Sequence, residues 1–515
     1  MASTQSPEGA EHLVARETSL AIRNGLKLGL SLFSTMGVAV VVRFWVPRHL
    51  GAEAYGQLSF AESFAAMCFA FTILGLHTYM NRAVATRIEH ASEFFGGMIL
   101  VRLAASLIIC IVMAVCLWAM GKSPQTWQLV YLFAVGQFLY IFNQSLAALL
   151  QSAGTVNEFA IINVVGKLVW GAGIVVALLF GGGIIVVAWA FTLTELFKTP
   201  ALFIAARKHL KLRLDFSLKS GLTVIGASFG FFINELAMDF YARIDVTMIS
   251  WLITDAEVGY YQASININFL VLLLLPLIHA IFMPMAARIG AQSKQTLNDT
   301  MEGAIRIVLA LVIPMALLVI IHADALMPLA FGKAFAPSAR SLRVLAVMFP
   351  LTYVNVIFAV HLFVIDRTWT VTRTSLMGMV INPALNWFVI PWAYGLFPDG
   401  GGAGLGAAMT SLATELGVVT ILYLALRRDG THYSKRLSRS LVKLVFVCAL
   451  VAAAHQGLIL LLPDVGLWLL IIEGLLYVIL AWPMGALPIN EIRMRVMTAL
   501  RERRQQSNEP LEKTS

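Results

Sequence analysis

Fourteen apolar runs follow one another along this chain, most of them about as long as a helix needs to cross a bilayer. Lipid offers no partner to backbone N–H and C=O groups, so a run of about 20 apolar residues must close its hydrogen bonds internally, as a helix. The runs lie near 25–46, 58–80, 96–119, 128–150, 160–181, 184–205, 222–253, 260–284, 304–322, 342–365, 371–393, 403–426, 441–462 and 467–487. They predict an all-α, polytopic membrane protein with about 14 transmembrane helices. Of the 515 residues, 59% are hydrophobic and 13% charged. Soluble domains carry about 25% charged residues, so the bulk of this chain sits in lipid. The first run follows a mixed-charge leader, is too long for a signal-peptide core and lacks a small-residue cleavage site, which predicts no cleaved leader.

The net charge of +9 is no nucleic-acid signature, because the basic residues lie in short loops between apolar runs. One alternating set of loops carries Arg82 and Arg87; Arg207, Lys208, Lys211, Arg213 and Lys219; Arg288 and Lys294; Arg367; and Arg427, Arg428, Lys435, Arg436 and Arg439. The opposite set is poor in base, the loop with Lys333 and Arg340 excepted. The positive-inside rule then predicts that the basic set and both termini are cytoplasmic. The tail beyond Pro488 spaces Ile489, Ile492, Val496 and Leu500 helically among arginines, as either an amphipathic surface helix or a solvated tail would. Cys68, Cys110, Cys116 and Cys448 all fall inside apolar runs without a C-x-x-C pair and read as small core residues. Pro276, Pro284, Pro314, Pro383 and Pro391 lie within spans, as static kinks or as hinges.

Within this frame the stretch 229–262 stands out. It reads as a span, yet carries Glu235, Asp239, Arg243 and Asp245. The first three are spaced i, i+4, i+8 and form one helical stripe. A charge at mid-bilayer costs about 2.5–3.5 kcal/mol on insertion scales, so four in one span must face water or one another. The segment 222–253 is also longer than a span requires; thirty helical residues reach about 45 Å, so it is tilted, bent or extended beyond the lipid.

The first six runs recur as the next six. Leu50-Gly-Ala-Glu-Ala-Tyr-Gly56 follows the first run and Asp255-Ala-Glu-Val-Gly259 the seventh. Gly121-Lys122 precedes the fourth and Gly332-Lys333 the tenth; Thr194-Glu195-Leu196 lies in the sixth and Thr414-Glu415-Leu416 in the twelfth. The offsets drift smoothly, from 203 to 211 to 220. Six spans is an even number, so both copies enter the membrane the same way, predicting two parallel-related six-helix lobes with a site at their interface and a C-terminal helix pair outside the repeat. The expected organisation is a leader at 1–24, an N-lobe at 25–210, a C-lobe at 211–430, the helix pair at 431–488 and a basic tail at 489–515.

Leu50-Gly-Ala-Glu-Ala-Tyr-Gly56 resembles the L-G-x-x-x-Y-G signature of bacterial polysaccharide repeat-unit flippases. Arg243-Ile-Asp245 with Glu257-Val-Gly-Tyr-Tyr261 resembles their seventh helix and its exit. Phe331-Gly-Lys-Ala-Phe335 with Ala339 and Leu342 resembles their F-G-x-x-F…A…L segment. The resemblance covers roughly 20–430 and points to the multidrug/oligosaccharidyl-lipid/polysaccharide superfamily, most like the O-antigen (Wzx-type) translocases. It implies a transporter rather than an enzyme, moving an undecaprenyl-diphosphate-linked oligosaccharide from the cytoplasmic to the periplasmic leaflet by alternating access through a cationic cavity. The setting would be O-antigen, capsule, lipopolysaccharide or exopolysaccharide assembly. It also implies no organic cofactor, coupling to H+ or Na+, a monomer, and polymerase and chain-length proteins as partners beside membrane lipids, with no nucleic acid.

A diphosphate calls for cations, arginine above all. Arg243 is the first candidate ligand, with a salt bridge to Asp239 or Asp245 as its structural alternative. Lys167 lies within the fifth span without a neighbouring carboxylate in sequence. Arg23 and Lys27, four apart, read as a basic mouth or as cytoplasmic anchors. Arg102 and Arg373 sit close enough to helix starts to snorkel. Glu235, Asp239 and Asp245 read as ion-coupling or cavity acids, or as an ion-pair network; Glu195 and Glu415 read as repeat-related braces. Two other functions are weighed against the flippase. A cation-coupled multidrug exporter would not need the diphosphate-binding cations. A membrane polysaccharide polymerase or ligase would need a long outward loop with catalytic groups, and the longest here, around 323–341, is short. No metal-ligand spacing, nucleotide loop or nucleophile triad is visible in the sequence.

Overall fold

A computed structural model describes residues 7–75, 91–153, 155–210, 218–273, 275–461 and 468–487. Among these residues every regular element is helical. The α-helices are α1 (Pro7–Phe69), α2 (Ala91–Ala119), α3 (Pro124–Ser152), α4 (Val156–Leu179), α5 (Ile184–Leu210), α6 (Leu218–Tyr241), α7 (Ile244–Leu252), α8 (Asp255–Leu272), α9 (Leu275–Gln292), α10 (Lys294–Phe331), α11 (Ala339–Val364), α12 (Thr368–Leu396), α13 (Gly402–Arg428), α14 (Lys435–Leu461) and α15 (Trp468–Ala481). Nine of them are long and apolar enough to cross a membrane, among the described residues. They are the third to sixth and ninth to thirteenth of the fourteen expected spans. The first two run together in α1, the seventh and eighth are each interrupted, and the fourteenth is the shorter α15. The C-terminal tail lies outside the described residues.

The interruptions have local causes. In α1 the chain turns at Gly51, whose φ of 75° and ψ of 173° lie where a Cβ is poorly tolerated. The first glycine of the L-G-x-x-x-Y-G motif is therefore the joint between two spans. The expected bend in 222–253 is a break between Tyr241 and Ile244. The Arg243 N–H closes a tight bond on Phe240 O (3.1 Å), and the helix restarts from Arg243. The eighth span breaks just ahead of Pro276, which sits in the first turn of α9 as proline prefers. Helices run on through Pro284, Pro314, Pro383 and Pro391.

The chain forms two compact units, Met1–Gln262 and Ala263–Ser515. The first reaches past the expected lobe boundary at 210 because the seventh span is tied into it. The Ser228 hydroxyl donates to Leu74 O (2.7 Å). Lys122 Nζ donates to Ser250 O (2.7 Å) and Ser250 Oγ (2.6 Å), lies 3.1 Å from Asp255 and stands over the Phe60 ring. Gly56 and Gly259 make a reciprocal contact: a Cβ on Gly56 would overlap the carbonyl of Asp255, and one on Gly259 the carbonyl of Ala52. Each repeat-related glycine faces the carbonyl four residues before the other, so the two copies of the motif pack with local two-fold symmetry. This unit's core includes Phe95, Met98, Leu146, Leu149, Leu150 and Leu202.

In the second unit α10, α11, α13 and α14 share a core containing Met301, Ile305, Phe349, Tyr353, Leu422, Leu426 and Val447. In lipid, packing rather than water exclusion holds helices together, and small residues permit close approach. Gly402 and Gly406 seat α13 against the backbone of α12, where a Cβ would overlap Ala393 O or Val389 O. The outward faces are apolar: Leu107, Ile108, Ile111, Val115 and Trp118 of α2 are all exposed, a stripe that only lipid would cover at so little cost.

Candidate functional site

The first unit concentrates charge in the middle of its helices. The α5 residue Glu195 is buried and held from two sides. Lys198 Nζ, one turn on, lies 2.8 Å from Glu195 Oε1, and the pair is almost enclosed, at 12% and 6% side-chain exposure. Asn143 Nδ2 on α3 donates to Glu195 Oε2 and to its main-chain oxygen, both at 2.9 Å. The Lys198 stem passes over Gly166, where a Cβ would meet it at 2.8 Å. Next along α4, half-buried Lys167 places its ammonium 3.7 Å from the Trp170 ring centroid. Lys167 also interacts electrostatically with Glu62, Arg43, Lys198 and Glu195. Trp170 is thus an aromatic partner for a lysine that has no carboxylate close by in sequence.

Arg243 lies at the break between α6 and α7, half-buried, with Asp239 and Tyr140 within electrostatic reach. Its Nε is buried without a hydrogen bond. An unmatched buried donor costs about 1–3 kcal/mol, so this guanidinium retains capacity for another acceptor. Tyr140 receives a 2.7 Å hydrogen bond from Gln144 and also senses Glu195. It thus lies within electrostatic reach of Glu195 and of the Asp239–Arg243 pair. Asp245 is buried and accepts from Tyr261 OH at 2.8 Å. Arg23 and Lys27 fall on the start of α1, whose side chains lie outside the described residues.

Arg102 does not snorkel. It is 5% exposed and donates from Nε to Thr72 O (3.1 Å), from Nη2 to Ile73 O (3.1 Å), and from Nη1 to Ser145 Oγ (2.5 Å) and Ile141 O (3.3 Å). Helix C-termini leave carbonyls unpaired, and Arg102 satisfies those at the end of the second span. It also interacts with Glu235. Arg340, in the one basic loop of the otherwise base-poor set, has structural partners too: Asp399 at 2.6 Å, Gly400 O, and the Phe397 ring at 4.5 Å.

The second unit repeats half of the motif. Asn355 Nδ2 on α11 donates to Glu415 Oε1 on α13 at 2.9 Å, as Asn143 does to Glu195. Position 418, one turn beyond Glu415, is valine, where Glu195 has Lys198. The asparagines and Tyr140 enter the site only through tertiary contacts, whereas Lys198 lies one helical turn from Glu195, a spacing visible in the sequence. Asn143 and Asn355, at an offset of 212, would have extended the repeat and were the legible signal for the glutamates' partners.

A model of the family described as "Polysaccharide biosynthesis protein" matches residues 46–340. The chain is 21% identical over 382 residues, 72% of its length and 77% of the relative's, to a probable low-salt glycan biosynthesis flippase, Agl15, of Haloferax volcanii. Its fold is similar to that of the lipid II flippase MurJ in an inward closed conformation. The TM-score is 0.69 at 14% identity, covering 92% of this chain and 99% of that one. An inward-facing multidrug resistance MATE transporter of the MOP superfamily is similar with a TM-score of 0.52 at 17% identity, over 76% of this chain and 99% of that one.

Proposed function

The chain belongs to the polysaccharide biosynthesis protein family, and from that premise we propose that it is a flippase for lipid-linked oligosaccharides. The relatives are named as a glycan flippase, a lipid flippase and a multidrug transporter, so it is a transporter rather than an enzyme. The finer reading is an undecaprenyl-diphosphate-linked repeat unit, carried from the cytoplasmic to the periplasmic leaflet of a bacterial inner membrane, with both termini cytoplasmic. The sugar would be destined for O-antigen, capsule or exopolysaccharide, with polymerase and chain-length proteins acting on it afterwards. Arg243, Lys167, Arg23 and Lys27 are the proposed anion ligands. Glu235, Asp239 and Asp245 are the proposed acids for H+ or Na+ coupling.

The observation that carries this reading is Arg243: a guanidinium at a helix break within an expected span, with an unpaired Nε, beside Asp239. Diphosphate oxygens would complete its hydrogen bonds, and an arginine fork suits them. Alternating access then requires substrate and coupling ion to stabilise the two facing states differently.

The test is reconstitution in proteoliposomes with an undecaprenyl-diphosphate oligosaccharide. An impermeant glycosidase outside the vesicles should gain access to sugar that was enclosed, in the presence of the protein and much more slowly with Arg243→Met. Equal access with and without folded protein would sink the reading. Full drug efflux by Arg243→Met would favour the exporter instead.

A further inference from the structure

The second unit buries three titratable side chains against one another. His322 Nε2 lies 2.9 Å from Glu473 Oε2, and His455 Nδ1 lies 2.6 Å from Glu473 Oε1. The two imidazoles meet edge to face with centroids 5.3 Å apart. Side-chain exposure is 0% for Glu473, 6% for His322 and 12% for His455. They come from three helices, α10, α14 and α15. Along α15 the residues Leu469, Glu473, Tyr477 and Ala481 form one buried stripe with a four-residue spacing. Tyr477 OH donates to Ala310 O at 2.7 Å and seats that stripe on α10, so Glu473 is aimed inward by its own helix. All three residues sit near the same ends of their helices, away from the basic loops.

A buried carboxylate is costly in a low-dielectric site unless positive charge compensates it, and a metal ion held by these three side chains would supply that charge. Two imidazole nitrogens and one carboxylate oxygen make up the His2Glu donor set of open zinc sites, with a fourth position for water. Calcium and magnesium take oxygen ligands, whereas imidazole favours zinc and its neighbours. The donor atoms already lie within 4.8 Å of one another. Tetrahedral zinc bonds of about 2.0–2.1 Å separate neighbouring donors by about 3.3 Å. Each nitrogen now hydrogen-bonds a different carboxylate oxygen, at 2.9 and 2.6 Å, so binding an ion requires all three side chains to rotate about it.

We propose that His322, His455 and Glu473 form a binding site for one divalent transition-metal ion, zinc by its donor chemistry, which clamps the C-terminal helix pair to α10. The site uses none of the proposed anion ligands and stands whether or not the chain moves a glycan. The full chain, purified through a tag without histidine and stripped by chelator, is titrated with zinc. The expected result is one bound zinc per chain by elemental analysis and a raised unfolding midpoint. Affinity should fall at least tenfold in Glu473→Gln, and both effects should vanish in His322→Ala/His455→Ala. Binding that persists in the folded double variant belongs to other histidines and overturns the proposal. Cobalt on the unmutated chain needs no variant: tetrahedral ligand-field absorption, displaced by zinc, supports the site, and its absence at stoichiometric cobalt overturns it.

Discussion

Glu195 in the first unit and Glu415 in the second occupy the same Thr-Glu-Leu triplet, and each accepts a hydrogen bond from an asparagine two spans earlier. The difference lies in what surrounds that shared pair. In the first unit Lys198, Lys167, Arg43 and Arg243 gather around it or its neighbours. In the second, valine stands at 418, and the helix corresponding to that of Lys167 carries Asn382 and Asn386, linked to each other (2.9 Å) and to Ser411 and Thr410. The second unit carries an amide and hydroxyl network where the first carries ions on the corresponding helices. Ions within a span are expensive, and the asymmetry puts that cost where an anionic headgroup could be held.

Breaking the first unit's buried contacts should cost most. Arg102→Met leaves the Thr72 and Ile73 carbonyls unpaired and should destabilise by at least about 3 kcal/mol, read as a lower unfolding midpoint in detergent. Lys198→Met removes the ion-pair partner of Glu195 and should cost about 3–5 kcal/mol, whereas Glu195→Gln/Lys198→Met should return close to wild-type stability. The matching change in the second unit, Glu415→Gln, keeps a hydrogen-bonding partner for Asn355 and should cost no more than about 1 kcal/mol. Equal losses in the two units would erase the distinction drawn here.

A smaller effect of opposite sign is expected at His361 of α11, which is fully buried with neither ring nitrogen hydrogen-bonded. His361→Leu removes unmatched polar atoms and should stabilise by about 1 kcal/mol, measured the same way. The smallest effect is at the exposed Asp399–Arg340 pair. The Arg340 hydrogen bond holds the Asp399 carboxyl below its ordinary value. The contribution is complete above the ordinary aspartate pKa of about 3.9 and is lost as pH falls through the lowered one. Arg340→Met should therefore flatten the decline in stability below about pH 4 while changing little at neutral pH.

Much of the fold was legible because the bilayer leaves so few choices. The spans follow from hydropathy, and the repeat from motifs such as Leu50–Gly56 and Asp255–Gly259, whose glycines prove to be mutual packing points. The site was legible in part. A charged residue inside an apolar run declares itself, as Arg243, Asp239 and Lys167 did, but its partners do not. Arg102 read as a snorkelling residue because a position near a helix start says nothing of the orphan carbonyls that a neighbouring span ends on. His322, His455 and Glu473 are separated by 133 and 18 residues and form no spacing pattern.

The sequence by itself determined that this is a helical membrane chain with a duplicated plan, because every backbone polar group in lipid must be satisfied within its own segment. Only the tertiary structure decided which polar groups meet: Asn143 with Glu195, Arg102 with the Thr72 and Ile73 carbonyls, and Glu473 between two histidines. Those meetings depend on how helices far apart in the chain pack. Packing is set by small residues and side-chain shape summed over many contacts, and short motifs record little of it.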